Sequence, residues 1–225
     1  KTVKKNKEKK FFQKIHTSTK RNYLERMMNK KIYCMKIAKK YGKDYWDGNR
    51  SYGYGGYKFI EGYWTSMANK LIKDYKLNQN SKILDIGCGK GYLLYEIKKI
   101  IPSIRIVGID ISKYAINNSK KEIKKYLFVK KAQDKFKYQK DYFDLVISMG
   151  CLHNLFLYDL KKVIITINHI AKKSYIMVES YRSNKELFNL QCWALTCDSF
   201  FSKKEWLSIF KENYYTGDYE FIYFN

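Results

Sequence analysis

One short stretch, ILDIGCGKGYLLYEI at residues 83–97, constrains the fold of this chain more than any other. It begins with an apolar run typical of a strand buried on both faces, is interrupted by three glycines within five residues, and continues with helical spacing. Gly87, Gly89 and Gly91 leave room for a sharp turn and for a ligand that contacts main-chain N–H groups at the start of the helix. The stretch therefore predicts a strand, a tight turn and a helix, with a ligand bound at the turn.

Two acidic residues indicate what kind of ligand this is. Asp85 lies two positions before the first glycine, and Asp110 ends the next strand-like run, RIVGID, at residues 105–110. A carboxylate at the end of that second strand is placed to bind the hydroxyls of a ribose. The turn reads G-x-G-x-G after an acid, whereas a dinucleotide site reads G-x-G-x-x-G. A cationic ligand with a ribose therefore fits the turn better than a pyrophosphate does.

These features, together with the later strand-like run YFDLVIS, resemble the class I S-adenosylmethionine-dependent methyltransferases. In that family the first motif is an acid before such a glycine turn, and the second is the ribose-binding acid. The resemblance implies an enzyme that uses S-adenosylmethionine and releases S-adenosylhomocysteine. The cofactor contacts that it implies are Asp85, Gly87, Cys88, Gly89, Gly91, Asp110, Ile111, Ala132, Gln133 and Met149. Methyltransferases of this type usually have an Asp at the adenine position, where this chain offers Ala132 or the displaced Asp134.

From residue 67 onward, strand and helix patterns alternate, which predicts an α/β fold: a doubly wound, mainly parallel sheet with helices on both faces. Strands are expected at residues 83–86, 104–110, 126–130, 143–148, 175–179 and 219–224. Helices are expected at residues 67–75, 91–100, 113–125, 155–172 and 202–212, the last beginning with a capping box of Ser202 and Glu205. The family resemblance implies a Rossmann-like sheet of seven strands. A further helix is expected within residues 181–201, because such long loops are uncommon in compact domains.

Residues 1–66 are expected to form an N-terminal helical cap and aromatic lid within the same domain, and residues 67–225 the cofactor-binding core. Residues 1–10 are predicted to be a solvated basic tail, and the apolar spacing over residues 11–38 predicts two or three helices. The polar run HTSTKR at residues 16–21 either faces an anionic substrate or caps a helix at Ser18 or Thr19, and the cap is favoured.

A second unusual stretch, YWDGNRSYGYGGYKFIEGYW at residues 45–64, mixes aromatic residues with glycines and predicts a loop. We expect its aromatic side chains to close over the ligand, exclude water and contact a sulfonium, with Tyr57 among the cofactor contacts. The alternative is a hairpin whose aromatics cover an edge of the sheet.

Candidates for the chemistry lie near the predicted strand ends and in the cap. Methyl transfer to a hydroxyl requires removal of its proton, and the candidate bases are His153, His16 and Glu179. For His153 the alternative role is packing or hydrogen bonding. Candidate substrate contacts are Arg50, Tyr181 and Arg182, because a guanidinium group binds phosphate or carboxylate through two hydrogen bonds.

Three stretches, HTSTKRNYL at 16–24, GKDYWDGNRSYGYGGYKF at 42–59 and VESYR at 178–182, resemble a bacterial family of small-molecule methyltransferases encoded among surface-carbohydrate genes. This resemblance implies a small polar, anionic acceptor: a sugar, a nucleotide-activated sugar or another phosphorylated precursor of a capsule or surface polysaccharide. O-methylation is favoured over N-methylation. The resemblance does not indicate the identity of the acceptor.

The net charge of +24 keeps a second hypothesis open, methylation of rRNA or tRNA. It is less favoured because Lys, Asn, Ile and Tyr are all abundant, as AT-rich coding sequences produce, and because SMGCLHN lacks the proline of base-methylating enzymes. A third hypothesis is a non-catalytic protein that binds S-adenosylmethionine.

Five scattered cysteines without a CxxC pair predict reduced thiols, a cytoplasmic location and no metal site. No apolar run is long enough to predict a membrane span.

Overall fold

Six strands form one parallel sheet in the part of the chain that the structure, a computed structural model, describes: residues 6–225 without the side chain of Lys14. The strands are β1 (Lys82–Ile86), β2 (Arg105–Asp110), β3 (Leu127–Val129), β4 (Leu145–Met149), β5 (Ser174–Glu179) and β6 (Asp218–Ile222). Their order is β3-β2-β1-β4-β5-β6, and all neighbours are parallel. The direction in which strands are added reverses between β1 and β4, where folds of this kind bind ligands beyond the carboxyl ends.

Helices of the core cover both faces of the sheet. They are α5 (Thr65–Tyr75), α6 (Tyr92–Ile100), α7 (Lys113–Asn117), α8 (Lys121–Lys124), α9 (Leu157–Ile170), α10 (Asn184–Trp193) and α11 (Lys203–Glu212). One buried apolar cluster includes side chains of α9 and α11, and another includes side chains of α5 and α6. Strands β1 and β4 lie between these clusters and are almost entirely buried, which explains their continuous apolar sequences. Among residues 6–225, no helix has the length and apolarity that crossing a membrane requires.

Short helices form the segment before the core, and we refer to residues 11–64 as the N-terminal cap. Its elements are α1 (Gln13–Thr17), α2 (Tyr23–Met28), α3 (Lys31–Ala38), α4 (Lys43–Asp47) and a 3-10 turn at Arg50–Tyr52. The buried carboxylate of Glu220 on β6 accepts hydrogen bonds of 2.7–2.9 Å from the backbone N–H groups of residues 11–13. The hydroxyl of Tyr175 donates a fourth hydrogen bond of 2.6 Å. Glu220 therefore attaches the start of the cap to the sheet.

The predicted α/β fold is confirmed, and the differences from the expected elements are local. The alternation of patterns predicts six strands, and the structure has six among residues 6–225; the seventh was implied only by the resemblance. The predicted capping box at Ser202 and the helix within residues 181–201 are confirmed. The predicted cap at Ser18 or Thr19 is wrong, because Asn22 caps α2 through a bond from Glu25 N.

Two further expectations need correction. The helix expected at residues 113–125 is two short helices, α7 and α8, separated by a break after Asn117. Of the predicted solvated tail, residues 1–5 lie outside the described part of the chain. Its later residues pair with β6: Glu8 forms a parallel bridge to Tyr219, and Lys9 N donates to Tyr219 O at 2.7 Å.

Candidate active site

The glycine turn between β1 and α6 leaves space that other residues would fill. Gly87 and Gly89 have left-handed backbone angles, with φ of +83° and +57°. A Cβ on Gly87 would lie 2.5 Å from Cys151 Cβ, and one on Gly89 would lie 2.8 Å from Cη2 of Trp46. The sequence needs glycine at both positions because the backbone conformation and the close neighbours exclude a side chain.

Two buried carboxyl groups lie beside this turn. Asp110 Oδ2 accepts a hydrogen bond from Gly89 N and Oδ1 accepts one from Ser112 N, both 2.8 Å long. Burial raises the pKa of Asp110, and burial together with the charge of Asp110 raises the pKa of Asp85 to about 8. The Asp85 carboxyl forms no hydrogen bond within residues 6–225. A buried acid in this situation is complementary to a cationic ligand.

Three adjoining cavities open from the turn toward the N-terminal cap. The crevice cavity, of about 290 Å³, lies at the ends of β1, β2 and β4. The central cavity, of about 260 Å³, lies above Asp85 and Gly89, and the outer chamber, of about 380 Å³, lies between the cap and α10. Tyr45 and Tyr54 line all three cavities. The cavities therefore adjoin one another between the sheet and the cap.

The aromatic residues of the cap lie over the glycine turn. Trp46 is buried, donates through Nε1 to Ser112 Oγ at 2.8 Å, and stacks on Tyr54 with ring centroids 5.1 Å apart. Asp47 joins the cap to the turn through a 2.7 Å ion pair with the buried Lys90. Residues 45–64 form no strand, and part of the expected loop is helical, in α4 and the 3-10 turn; Trp46, Tyr54 and Tyr57 of this stretch line the cavities.

His153 and Glu179 form a pair at the end of β5. The His153 Nδ1 atom accepts from the backbone N–H of Glu179 at 3.2 Å, so the ring proton must be on Nε2, which lies 3.5 Å from Glu179 Oε2. Burial lowers the pKa of His153, although the charge of Glu179 opposes this. Glu179 lines both the central cavity and the outer chamber, whereas His153 lines only the central cavity.

His16 has both ring nitrogens occupied. Its Nε2 lies 2.9 Å from the carbonyl oxygen of Tyr223, which can only accept, and its Nδ1 lies 3.2 Å from Nη2 of Arg21, which can only donate. The neutral tautomer with a proton on Nε2 satisfies both contacts. Burial and the charge of Arg21 lower the pKa of His16 to about 4. His16 therefore positions Arg21, and it is poorly suited to accept a substrate proton.

The structure brings most of the predicted cofactor residues to the cavities. Gly87, Asp110, Ile111, Ala132, Gln133 and Met149 line the crevice cavity, and Asp85, Gly87, Cys88, Gly89, Met149 and Tyr57 line the central cavity. Gly91 is the exception. A Cβ at Gly91 would lie 2.7 Å from Leu127 and 2.8 Å from Ile123, so this glycine permits packing between α6, β3 and α8.

The predicted substrate residues are separated by the fold. Arg50 lines the outer chamber. Arg182 forms an ion pair with Glu186 and lies over the Tyr223 ring, while the Tyr181 hydroxyl donates to Glu205 at 3.4 Å. Neither Tyr181 nor Arg182 lines one of the three cavities. Tyr181 and Arg182 follow β5 closely in sequence, but their side chains do not reach the cavities, because they contact Glu205 and Glu186 instead.

Several cavity residues are not among the individual candidates named from the sequence, although Trp46 and Tyr54 lie in the predicted aromatic lid and Arg21 in the polar run at residues 16–21. Trp46, Tyr54, Asp159, Arg21, Arg26 and Trp193 line the cavities. Asp159 supplies a carboxylate near the adenine position, where it lies 3.5 Å from Gln133 Nε2, whereas Asp134 caps its own turn by accepting from Lys131 N. The aromatic composition of the loop was a usable signal for Trp46 and Tyr54. No local pattern marks Asp159 as a neighbour of Gln133.

The cysteines carry no evident chemistry. All five are free thiols, and no group of three or more metal-binding side chains occurs within residues 6–225. Cys151 lines the crevice cavity, where burial raises the pKa of its thiol to about 12 and keeps it neutral.

A parallel sheet with a glycine turn after β1 and a buried acid after β2 defines a Rossmann-like, nucleoside-binding class of α/β protein. The sequence matches the methyltransferase domain family over residues 77–214, and the chain belongs to that family. The family of protein-L-isoaspartate(D-aspartate) O-methyltransferases also matches, over residues 5–136.

Similar proteins include methyltransferases with different acceptors. A malonyl-[acyl-carrier protein] O-methyltransferase of Bacillus anthracis is 25% identical over 155 residues, which are 62% of this chain and 56% of the relative. The chain thus spans little more than half of that protein. The structures of the YcgJ protein of Bacillus subtilis (16% identity, 65% of this chain, 66% of that chain) and of a Streptomyces coelicolor geranyl diphosphate C-methyltransferase (14%, 66% and 59%) superpose with TM-scores of 0.52. These low identities indicate a shared fold.

Proposed function

We propose that this protein is an S-adenosylmethionine-dependent methyltransferase that acts on a small polar acceptor. The observation that carries the proposal is the row of three adjoining cavities from the glycine turn to the outer chamber, with Glu179 lining both the central cavity and the chamber. The family match and a structural neighbour crystallised with S-adenosyl-L-homocysteine support the cofactor.

The residues around the turn fit this cofactor. Asp110 is held by two backbone N–H groups, which leaves lone pairs on both carboxyl oxygens for ribose hydroxyls. The crevice cavity beside it offers apolar surface from Ile111 and Met149 for an adenine ring. Asp85 would pair with the ammonium group of the methionine part, because its buried carboxyl has no hydrogen bond within residues 6–225. When bound, S-adenosylmethionine supplies a methyl group on a positively charged sulfur.

The side chains around the central cavity align the acceptor and exclude water. The rings of Tyr54, Tyr57 and Trp46 form a mutually packed group, with centroids 4.7–5.3 Å apart, on the side of the cap. A closed aromatic wall keeps the positive charge near π-electron faces and prevents attack by water. Glu179 accepts the acceptor's proton, while the Nε2–H group of His153 orients the carboxylate.

The proposed acceptor is a sugar, a nucleotide-activated sugar or another phosphorylated precursor of a surface polysaccharide, methylated on oxygen. A carboxylate base beside the methyl-transfer position supports a hydroxyl acceptor, because an amine in its neutral form needs no base. The guanidinium groups of the outer chamber support an anionic one.

Calorimetric titration with S-adenosylhomocysteine tests the cofactor site. We expect binding by the native protein, at least about tenfold weaker binding by Asp110→Ala, and unchanged binding by the control Glu212→Ala. Glu212 is a suitable control because it is exposed on α11 and lines none of the three cavities. Absence of binding by the native protein, or equal affinity in Asp110→Ala, would refute the proposal.

A further inference from the structure

Three arginines of the N-terminal cap surround a single tryptophan in the outer chamber. The guanidinium carbons of Arg21, Arg26 and Arg50 lie 5.4, 5.1 and 5.1 Å from the centroid of the Trp193 ring. Arg21 precedes α2, Arg26 is within it, Arg50 begins the 3-10 turn, and Trp193 ends α10. All four residues line the chamber. We call them the arginine cluster.

The arginine cluster has unused hydrogen-bonding capacity. Within residues 6–225, none of its three guanidinium groups forms an ion pair with a carboxylate. The Nε atoms of Arg21 and Arg26 are buried without a hydrogen-bond partner. Arg21 donates through Nη1 to the carbonyls of His16 and Thr19 and through Nη2 to His16 Nδ1. In Arg26 and Arg50, within residues 6–225, only Nη1 forms a hydrogen bond, to the backbone carbonyls of Arg50 and Gly53. Buried donors without partners are rare in folded proteins, so these atoms indicate a missing acceptor.

The cluster also has uncompensated positive charge. Burial, with repulsion from Arg50, lowers the pKa of Arg26, and Arg21 experiences the same repulsion. The carboxylate that offsets the charge of Arg21 is that of Glu179, which pairs with His153 beside the central cavity. Three like charges beside one ring are stabilised when an anion binds among them.

Arginine is rare in this chain, and most of its arginines lie in the arginine cluster. The chain has five arginines among its 45 basic residues, so lysine is the usual basic residue here, and three of the five arginines are in this cluster. A planar guanidinium differs from an ammonium by offering a fixed fork of N–H donors and by stacking on aromatic rings. The cluster uses both properties.

We infer that the arginine cluster is a phosphate-binding site that holds a phosphoryl group of the acceptor during methyl transfer. A phosphate monoester carries nearly two negative charges and three terminal oxygens, whereas a carboxylate carries one charge and two oxygens. The inference rests on the proposed function, since it assigns the outer chamber to the acceptor. It identifies the substrate as a small phosphorylated or diphosphorylated molecule.

The position of the cluster limits the size of this substrate. Arg21 and Glu179 both line the outer chamber, and Glu179 also borders the central cavity. The phosphoryl group and the methylated atom therefore belong to the same small unit. The neutral His16 holds Arg21 through its Nδ1 atom, so it acts as a positioning residue for phosphate binding.

Titration with inorganic pyrophosphate and phosphate tests the inference. Calorimetry on the full chain, at fixed ionic strength and with S-adenosylhomocysteine present, should show one site that loses at least about tenfold in affinity in Arg26→Gln and in Arg50→Gln. Arg26→Lys should recover only part of the affinity, because it restores the charge without the fork. Arg105→Gln is the matched control: this exposed arginine donates from its side chain to Asn80 O at the opposite end of β2 and lines none of the three cavities.

The affinity for S-adenosylhomocysteine separates this inference from the proposed function. If the Arg26 and Arg50 variants bind S-adenosylhomocysteine normally but lose pyrophosphate, both stand. If the native protein binds S-adenosylhomocysteine but no pyrophosphate, or if Arg105→Gln weakens pyrophosphate as much as Arg26→Gln does, the phosphate site is wrong and the cofactor site is unaffected. Circular dichroism excludes unfolding as the cause of a loss, and the Arg26→Lys variant repeats the test if Arg26→Gln does not fold.

Discussion

Among the residues considered as bases, Glu179 and the two histidines differ in what their side chains can still accept. Nδ1 of His153 and Nδ1 of His16 already accept hydrogen bonds, from Glu179 N and from Arg21. Glu179 retains a carboxylate that borders both the central cavity and the outer chamber. All three are candidate bases from the sequence alone. Their hydrogen bonds and the cavities that they line distinguish their roles.

We predict that Glu179→Gln lowers kcat about 100-fold or more with little change in the affinity for S-adenosylhomocysteine, because a positioned base contributes about that factor. Methyl incorporation into pooled sugar phosphates and nucleotide sugars measures the rate. His16→Asn should instead raise KM for a phosphorylated acceptor with a smaller effect on kcat, since it disturbs only Arg21. A normal rate for Glu179→Gln would remove Glu179 from the mechanism.

A second prediction concerns the role of Asp85 in the pH dependence of S-adenosylhomocysteine binding. In the free protein its pKa is raised to about 8, so the carboxyl is protonated at neutral pH and must ionise to pair with an ammonium group. The affinity for S-adenosylhomocysteine should therefore rise as pH increases from 6 to 8, by at most about tenfold per unit, and level off above pH 8. Binding below pH 8 should release a proton, measurable by calorimetry in buffers of different ionisation enthalpy. The same pH dependence in Asp85→Asn would contradict this assignment.

Single residues of the turn were predictable because a strand, its glycines and its acid are neighbours in sequence. The arginine cluster was not, because Arg21 and Trp193 meet only when α2 packs against α10, where Tyr23 also contacts Trp193 with ring centroids 6.2 Å apart. The polar run containing His16 was interpreted as a helix cap, whereas the alternative, a surface that faces a substrate, agrees better with the chamber. In such a polar run the same side chains can cap a helix or face a cavity. Here His16, Thr19 and Arg21 line the outer chamber, and Asn22 caps α2.

At the scale of elements, Glu220 attaches the N-terminal cap, which lines the cavities, to strand β6 of the sheet. One carboxylate accepts four hydrogen bonds, three of them from the backbone just before and at the start of α1. The β6 strand that carries it was predicted, but its partner segment was not, because more than 200 residues separate them in the chain.

We predict that Glu220→Gln destabilises the fold by about 2–4 kcal/mol, because an amide has one acceptor oxygen and adds donors where only donors are present. Denaturant unfolding measures the loss, and amide hydrogen exchange at residues 11–13 should accelerate. Glu212→Gln, on the exposed face of α11, should change stability by less than about 1 kcal/mol. Equal effects of the two substitutions would show that Glu220 does not anchor the cap.

The order of elements was the most predictable feature. Alternating patterns predict each strand and most core helices of the sheet within a few residues, because apolar runs of strands and amphipathic helices differ in period; the exception is residues 113–125, where one expected helix is two, α7 and α8. The expected seventh strand came from resemblance alone, and the chain's own pattern does not contain it. The folding of the cap could not be predicted in detail, because its helices are short and depend on contacts with the core.

At the scale of the whole molecule, the charge of +24 and the size of the outer chamber indicate different partners. A chamber of about 380 Å³ between the cap and α10 suits a small acceptor, whereas a polynucleotide needs an open basic surface. Lysine-rich surfaces bind nucleic acid without specificity and release it as salt increases.

We therefore predict that bulk tRNA binds only at low ionic strength and gains no methyl group from labelled S-adenosylmethionine. Filter binding over a salt series and methyl incorporation measure the two properties. Methylation of tRNA that disappears in Asp110→Ala would favour the alternative function, RNA methylation, over the small acceptor.

The shared lining of the cavities has a kinetic consequence. Tyr45 and Tyr54 border all three spaces, and Trp46 lies over Gly89. If the proposed cofactor site is correct, the same aromatic side chains would border both the nucleoside and the second reactant, and we expect the nucleoside to bind first and leave last in a sequential rate law. Release of the spent nucleoside, which requires these side chains to move, should limit turnover at saturation.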